Sequence, residues 1–375
     1  MLLPLCGTAY TLWRTWQILP LPHLYRYIIT GVMLACVLLF FGNFLLFKID
    51  QWPLRLATAT YDIGSSSLMI MLYAVLLYLL LDLGRLVHLV PRSFLYDSWK
   101  GTLTVLVVLA GVFVYGNVHY KNKVRQLVEM KTSKAIPGNM TIVMISDLHL
   151  GYPNLADEFD RWVKLINKEH PDLILIGGDI IDGHLQPLLD QNVAASFRRL
   201  NAPVVACLGN HEYYSGMDGA LKFYHDAGIT LLRDSAVTVK GINIIGRDDR
   251  TNSRRKPLAE LVRGVDMSRY TILLDHQPYH LEEAEAANID FQFSGHTHHG
   301  QVWPISWITD AVYEDAFGPL QKSGTQYYVS SGIGIWGGQY RIGTRSEYIV
   351  GKLVAVSQPA PKGEGGSARP TTLQQ

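Results

Sequence analysis

Five short, apolar, β-rich runs between residues 141 and 294 each end on a side chain that can bind a metal, and that repeated pairing narrows the fold most. Thr141-Ile-Val-Met-Ile-Ser146 delivers Asp147 and His149, and Asp172-Leu-Ile-Leu-Ile-Gly177 delivers Asp179. Pro203-Val-Val-Ala-Cys-Leu208 leads to Asn210 and His211, Tyr270-Thr-Ile-Leu-Leu274 to Asp275 and His276, and Phe291-Gln-Phe-Ser294 to His296 and His298. Such runs predict strands. Gly178, Gly209 and Gly295 stand beside the ligand types, where sharp turns and close backbone approach are needed. Five strand ends aimed at one region predict an α/β fold with its site at the sheet edge.

The serial order Asp-x-His, Gly-Asp, Gly-Asn-His, His, Gly-His-x-His reads as a two-metal phosphoesterase site. Hydrolysing a phosphate ester at neutral pH needs a deprotonated water and positive charge on the phosphoryl oxygens, and two nearby metal ions supply both. Two Asp, one Asn and four His favour Mn, Fe or Zn, whereas an all-oxygen cage would suit Mg or Ca. A lone Asp-x-His or Gly-Asp arises by chance in loops; together, at five strand ends, the blocks point to chemistry.

On these blocks, residues 139–356 resemble the calcineurin-like metallophosphoesterases, with no element of the family pattern missing. The resemblance implies two packed β-sheets flanked by helices, a four-layer αββα arrangement. It also implies one metal held by Asp147, His149, Asp179 and His298, and a second held by Asp179, Asn210, His276 and His296, with Asp179 bridging. A hydroxide shared by the metals would attack phosphorus in line, Asn210 would help orient the phosphoryl oxygens, and His211 would stabilise the transition state or protonate the leaving oxygen. Ser330 to Trp336, Arg341-Ile-Gly, Glu347 and Gly300-Gln301 are similar to the YkuE/YaeI-like phosphodiesterase branch. His299 stands where that branch has Gly, either as a substrate contact or as an incidental loop residue. Asp275 is expected to orient a ligand imidazole or merely to end its strand.

The front of the chain obeys a different pattern. Residues 25–47, 65–81 and 103–118 are apolar enough to be transmembrane helices, the last reaching full length if it begins near Trp99. Residues 1–19, interrupted by Arg14, form a weaker fourth segment, without the positive stretch of a cleaved signal peptide. Soluble core helices are the alternative, but three closely spaced runs with so few charges oppose it. Hydrophobic residues make up 48% of the chain and charged residues 17%, which suits a membrane module joined to a soluble domain. A net charge of +1 provides no field arguing for nucleic acid. Cys6, Cys36 and Cys207 imply neither a disulfide framework nor a thiolate metal site.

The expected layout is a transmembrane region over 1–120, a basic linker over 121–138, the metallophosphoesterase domain over 139–356 and a disordered Pro-, Gly- and Ser-rich tail over 357–375. Lys121, Lys123, Arg125, Lys131 and Lys134 place the catalytic domain on the cytoplasmic side of the cell membrane, or against anionic headgroups. Arg85, Arg92 and Lys100 compete from the other face, and exported members of the similar branch oppose it too. Trp303, Trp307, Ile308, Tyr313 and Phe317 would line an apolar mouth or dip into the bilayer if exposed, and form core if buried. The charged loop from Arg247 to Lys256 suits either an anionic headgroup or plain solvation.

The function expected is a membrane-anchored, dinuclear metal-dependent phosphohydrolase acting on a phosphodiester or pyrophosphate in a membrane-associated or lipid-linked substrate. A non-catalytic receptor or transporter-associated module that binds phosphate ligands is the alternative, as is a scaffold braced by closed metal sites.

Overall fold

A computed structural model describes residues 2–356; the tail expected over 357–375 lies outside the described residues. Twelve strands form two six-stranded sheets. They are β1 (Lys123–Thr132), β2 (Met140–Ile145), β3 (Leu173–Ile176), β4 (Val204–Ala206), β5 (Thr230–Leu231), β6 (Ser235–Val239), β7 (Ile242–Gly246), β8 (Thr271–Leu274), β9 (Phe291–Ser294), β10 (Gly318–Lys322), β11 (Thr325–Val329) and β12 (Ser346–Ala355). One sheet runs β1-β12-β2-β3-β4-β5 and the other β10-β11-β9-β8-β7-β6. Both are mixed: β2, β3, β4 and β5 are parallel neighbours, as are β7, β8, β9 and β11, while β12 runs antiparallel to β2.

The inner strands β2, β3, β4, β7, β8 and β9 bury both faces, which is why their sequences are so continuously apolar. Along β2, Ile142 and Met144 join the core between the sheets, while Val143 and Ile145 face the helices. Leu173 and Leu175 of β3 repeat the division against Ile174 and Ile176, as the period of two demands. Helices Ala156–Asn167, Val193–Phe197 and Met217–Ala227 cover the outer face of the first sheet, and Leu258–Leu261 and Glu282–Ala286 that of the second. The layers are therefore αββα.

The segment expected as a basic linker corrects that expectation. Residues 123–132 are β1, paired in parallel with β12 from Lys123↔Ser346 to Thr132↔Ala355. Val128, Met130 and Thr132 are buried while Arg125, Glu129 and Lys131 are exposed. The charges are thus the solvent face of an edge strand, where they also discourage pairing with another chain.

The front of the chain forms α1 (Leu2–Ile18), α2 (His23–Leu45), α3 (Leu54–Leu86), α4 (Arg92–Leu95) and α5 (Trp99–Lys121). By length and composition α2, α3 and α5 can each cross a membrane, and α5 does begin at Trp99. With 33 residues, α3 is about 50 Å long, well beyond a hydrocarbon core of about 30 Å. Its first turns therefore project to the catalytic domain, where Ala57 and Tyr61 pack on Tyr152. Buried Arg14 pairs with Asp82, which also accepts a hydrogen bond from Tyr10 Oη at 2.6 Å, so this charge ties α1 to α3. Asn122 alone separates α5 from β1. Tyr73 Oη donates to the Trp303 carbonyl at 2.6 Å, Asn117 Nδ2 to that of Gln339 at 3.0 Å, and Phe113 packs edge-on against Tyr340.

Candidate metal centre

Three adjacent strands of one sheet (β2, β3, β4) and two of the other (β8, β9) end at the same place, so all five ligand-bearing loops converge between the sheets. Asp147, His149 and His298 offer donor atoms within 4.8 Å of one another, and so do Asp179, His276 and His296, and His149, Asp179 and His211. His149 Nε2 lies 3.0 Å from His298 Nε2 and 3.7 Å from Asp179 Oδ2, and Asp147 Oδ1 lies 3.6 Å from His298 Nε2. His276 Nε2 is 3.1 Å from the same Asp179 oxygen, and His296 Nδ1 is 2.9 Å from Asn210 Oδ1. Donors about 2.0–2.2 Å from a shared ion stand roughly 3.0–3.5 Å apart. Six of these seven side chains touch at such spacings through Asp179 or through one another, and Asp147 stands just beyond, 3.6 Å from His298.

Two buried polar atoms test whether metal ions fit. His276 Nδ1 meets the Gly177 carbonyl at 2.7 Å, and its Nε2, although 3.1 Å from Asp179 Oδ2, makes no hydrogen bond. Asp147 Oδ2 is likewise unpartnered. A buried polar atom left so costs about 1–3 kcal/mol, and a divalent cation in place of a proton on His276 would satisfy both. Carboxylate, amide and imidazole donors suit a transition metal.

The loops that carry the donors are held in costly conformations. Five of the seven donors, Asp147, His149, Asp179, His296 and His298, have φ between 45° and 71°, at about 1–3 kcal/mol each for left-handed non-glycine backbone. Surrounding hydrogen bonds impose this geometry. Glu212 accepts from the Gly209 and Ile180 amides at 2.7 Å and from Ile181 at 3.0 Å. Asn154 Nδ2 donates to the carbonyls of Leu148, His149 and Ile335, each at 3.0 Å. The buried Arg341 guanidinium donates to the carbonyls of His298 at 2.7 Å and Gly334 at 3.0 Å, and to that of Ser331. At Gly209 and Gly295 a Cβ would collide with the Asp179 and Asp147 carboxylates, so only glycine lets these loops approach.

Burial alone would raise the Asp179 carboxyl, but His276, His211 and His149 outweigh it and hold it well below the usual range. Burial, with repulsion from His276, lowers His296 to about 4, so its ring is neutral and keeps a lone pair for a metal. Burial disfavours a charged His211, yet Asp179 and Asp182 outweigh it and raise its affinity for a proton. His211 donates from Nδ1 to the Asp182 carbonyl at 2.5 Å, leaving Nε2 free, and its ring meets that of His149 edge-on at 4.5 Å.

Several supporting residues carried no functional signal in the sequence. Asp182 accepts from His149 Nδ1 at 3.0 Å through one oxygen and from Tyr61 Oη of α3 at 2.7 Å through the other. Tyr120 of α5 donates to Asn154 Oδ1, and the Arg341 amide donates to the Gly116 carbonyl of α5 at 3.0 Å. Asp182 follows Asp179 by three residues, and Glu212 follows His211 directly; those are the only local hints. Tyr61 and Tyr120 read as membrane-helix residues.

Other expectations change here. Asp275 does not orient His276 but pairs with Arg247 at 3.1 Å and Arg255 at 3.0 Å. Arg247, Asp248 and Asp249 are buried, so that part of the charged loop is an internal ion cluster. His299 stacks on Phe317 and approaches Asp310 at 3.2 Å, away from the donors. Trp303, Trp307, Ile308 and Val312 are exposed around the Ile305–Val312 helix beside α3, an apolar surface suited to a membrane interface. Beneath lies a cavity of about 1210 Å3 lined by Asp179, Asn210, His211, His296 and His298 at one end and by residues of α1 and α3 at the other.

The calcineurin-like phosphoesterase family matches residues 140–300. YkuE, an uncharacterized metallophosphoesterase of Bacillus subtilis, is 31% identical over 263 residues, covering 65% of this chain and 90% of that protein. The chain belongs to the calcineurin-like metallophosphoesterases. An uncharacterized metallophosphoesterase of Helicobacter pylori is 32% identical over 225 residues, 58% of this chain; the chain thus spans about 61% of that relative's length. A transmembrane protein with metallophosphoesterase domain from Danio rerio is 28% identical over 305 residues, covering 73% of this chain and 70% of that protein. In this chain too, a metallophosphoesterase domain is joined to helices apolar enough to cross a membrane.

Proposed function

We propose that the protein is a membrane-anchored phosphohydrolase that cleaves a phosphodiester or pyrophosphate bond in a membrane-associated or lipid-linked substrate. One observation carries this: the donors and the apolar side chains of α1 and α3 line the same cavity. Asp147, His149, Asp179 and His298 would hold one divalent ion, and Asp179, Asn210, His276 and His296 the other, with Mn, Fe or Zn favoured by the donor set. Bound there, such ions supply an activated water and positive charge at the phosphoryl oxygens.

The chain's own residues do the rest. The Asn210 amide orients a phosphoryl oxygen. His211, fixed through Nδ1 on the Asp182 carbonyl, turns its free nitrogen to the cavity and gives a proton to the leaving oxygen. Among the described residues no Lys or Arg lines the cavity, which disfavours polyanions such as nucleic acid. Exposed Lys121 at the end of α5 and Arg125 and Lys131 on β1, against Glu129, support a multi-pass topology with the catalytic domain cytoplasmic.

The test is hydrolysis of bis(4-nitrophenyl) phosphate and its monoester by the full chain, stripped of metal and reloaded with Mn, Zn, Fe or Mg, beside Asp179→Asn. Metal-dependent diester cleavage that the variant lacks is expected. A folded chain that binds two ions and turns over neither ester would favour a phosphate-binding module instead.

A further inference from the structure

We infer that the apolar part of the cavity is a hydrocarbon-chain site. The substrate's phosphate lies among the His and Asp side chains, and one alkyl or acyl chain lies along α3, reached sideways from the bilayer. This depends on the hydrolase activity proposed above and adds where the rest of the substrate goes.

Leu68, Leu72, Val75 and Leu79 all line the cavity, and their spacings of four, three and four place them on one face of α3. Tyr61, seven residues before Leu68, shares that face and donates to Asp182, the partner of His149. From Tyr61 to Leu79 the helix rises about 27 Å at 1.5 Å per residue. One continuous face thus runs from the metal-holding carboxylates to a depth comparable with the about 30 Å hydrocarbon core.

α1 packs beside α3 and supplies an adjoining wall. A Cβ at Gly7 would meet Val75 Cγ2 at 3.2 Å, so the helices approach closely there. Phe44, beside Tyr61, and Leu79, at the far end of the α3 face, line the cavity although each is 52% exposed, so the cavity meets the apolar outer surface at both ends. The volume of about 1210 Å3 exceeds the roughly 300–1,000 Å3 typical of small-ligand pockets. With no Lys or Arg among the described lining residues, nothing in the wall receives a second anionic group, so the part of the substrate beyond the phosphate is uncharged there.

The experiment uses the full chain in detergent, loaded with Mn. Calorimetry reads the binding of methyl, butyl and octyl phosphate, and turnover is read with methyl 4-nitrophenyl phosphate and its octyl analogue. Affinity is expected to rise by up to about fourfold per methylene, the fold-change set by transfer of one CH2 from water. In Leu72→Trp and Val75→Trp the octyl-to-methyl ratio is expected to fall toward one, by at least tenfold in binding and in kcat/KM. A wild-type ratio near one, or an undiminished ratio in both well-folded variants, would overturn the chain site. Chain-dependent binding with no turnover of either diester would leave the site standing and remove the hydrolase activity; methyl-diester turnover without chain dependence would do the reverse.

Discussion

The two halves of the metal centre are braced by different parts of the molecule. His276 is oriented by the Gly177 carbonyl and shares Asp179 with loops stapled by Glu212, all within the catalytic domain. The Asp147, His149 and His298 half instead leans on the membrane helices: Tyr61 holds Asp182, Tyr120 holds Asn154, and Gly116 accepts from Arg341. A helix apolar enough to cross a bilayer therefore also supports a residue that could hold a metal. The apolar helices and the donor-bearing loops are joined by buried hydrogen bonds rather than by a flexible tether.

Substitutions can break or sharpen that contrast. Asp179→Asn touches both halves and is expected to lose both ions and all activity, read by metal analysis beside the diester assay. His211→Ala touches neither half as a ligand. Turnover should fall by about 10²–10⁴-fold, the usual worth of a general acid, with two ions retained; lost metal would sink the role given to His211.

Tyr61→Phe keeps the ring and removes one hydrogen bond to Asp182. One ion should bind more weakly, by less than the about 10–100-fold that losing Asp182, the direct partner of His149, would cost, while the other ion's affinity is unchanged. Metal titration resolves the two steps, and equal weakening of both would show that α3 supports the domain only generally. Asp275→Asn is the matching control on the other side. It should leave both ion affinities as they are, because Asp275 pairs with Arg247 and Arg255 rather than with His276. Its stability should fall by the lower end of the about 3–5 kcal/mol typical of a broken buried ion pair, read as a lower melting temperature, since Glu283 still neutralises Arg247 at 2.7 Å.

Much of the site was legible because each donor is local to its strand. A run such as Thr141 to Ser146 declares a buried strand by composition, and the residue after it must lie at the sheet edge, so Asp147 and His149 could be placed without any partner. The same locality misled at residues 121–138. Five basic residues there outweighed the alternation of Val128, Met130 and Thr132, and a segment that pairs with β12, more than 200 residues away, read as a linker. Asp275 failed for a related reason: its neighbour in sequence, His276, faces Gly177, while its own carboxylate faces two arginines.

What the sequence by itself determined, then, is the set of donors, their order, and the presence of apolar helices ahead of them, all properties of short segments and their periodicity. Only the tertiary structure decided that the five strand ends come from two different sheets, that Asp182 and Asn154 carry the load of two membrane helices, and that one cavity joins the donors to the face of α3. Tyr61 and Asp182 are 121 residues apart, and no local preference links a tyrosine in an apolar helix to a carboxylate in a loop. Their contact exists because the packing of Ala57, Tyr61 and Tyr152 seats the helix against the metal-bearing loops, and packing of that kind depends on the whole fold at once.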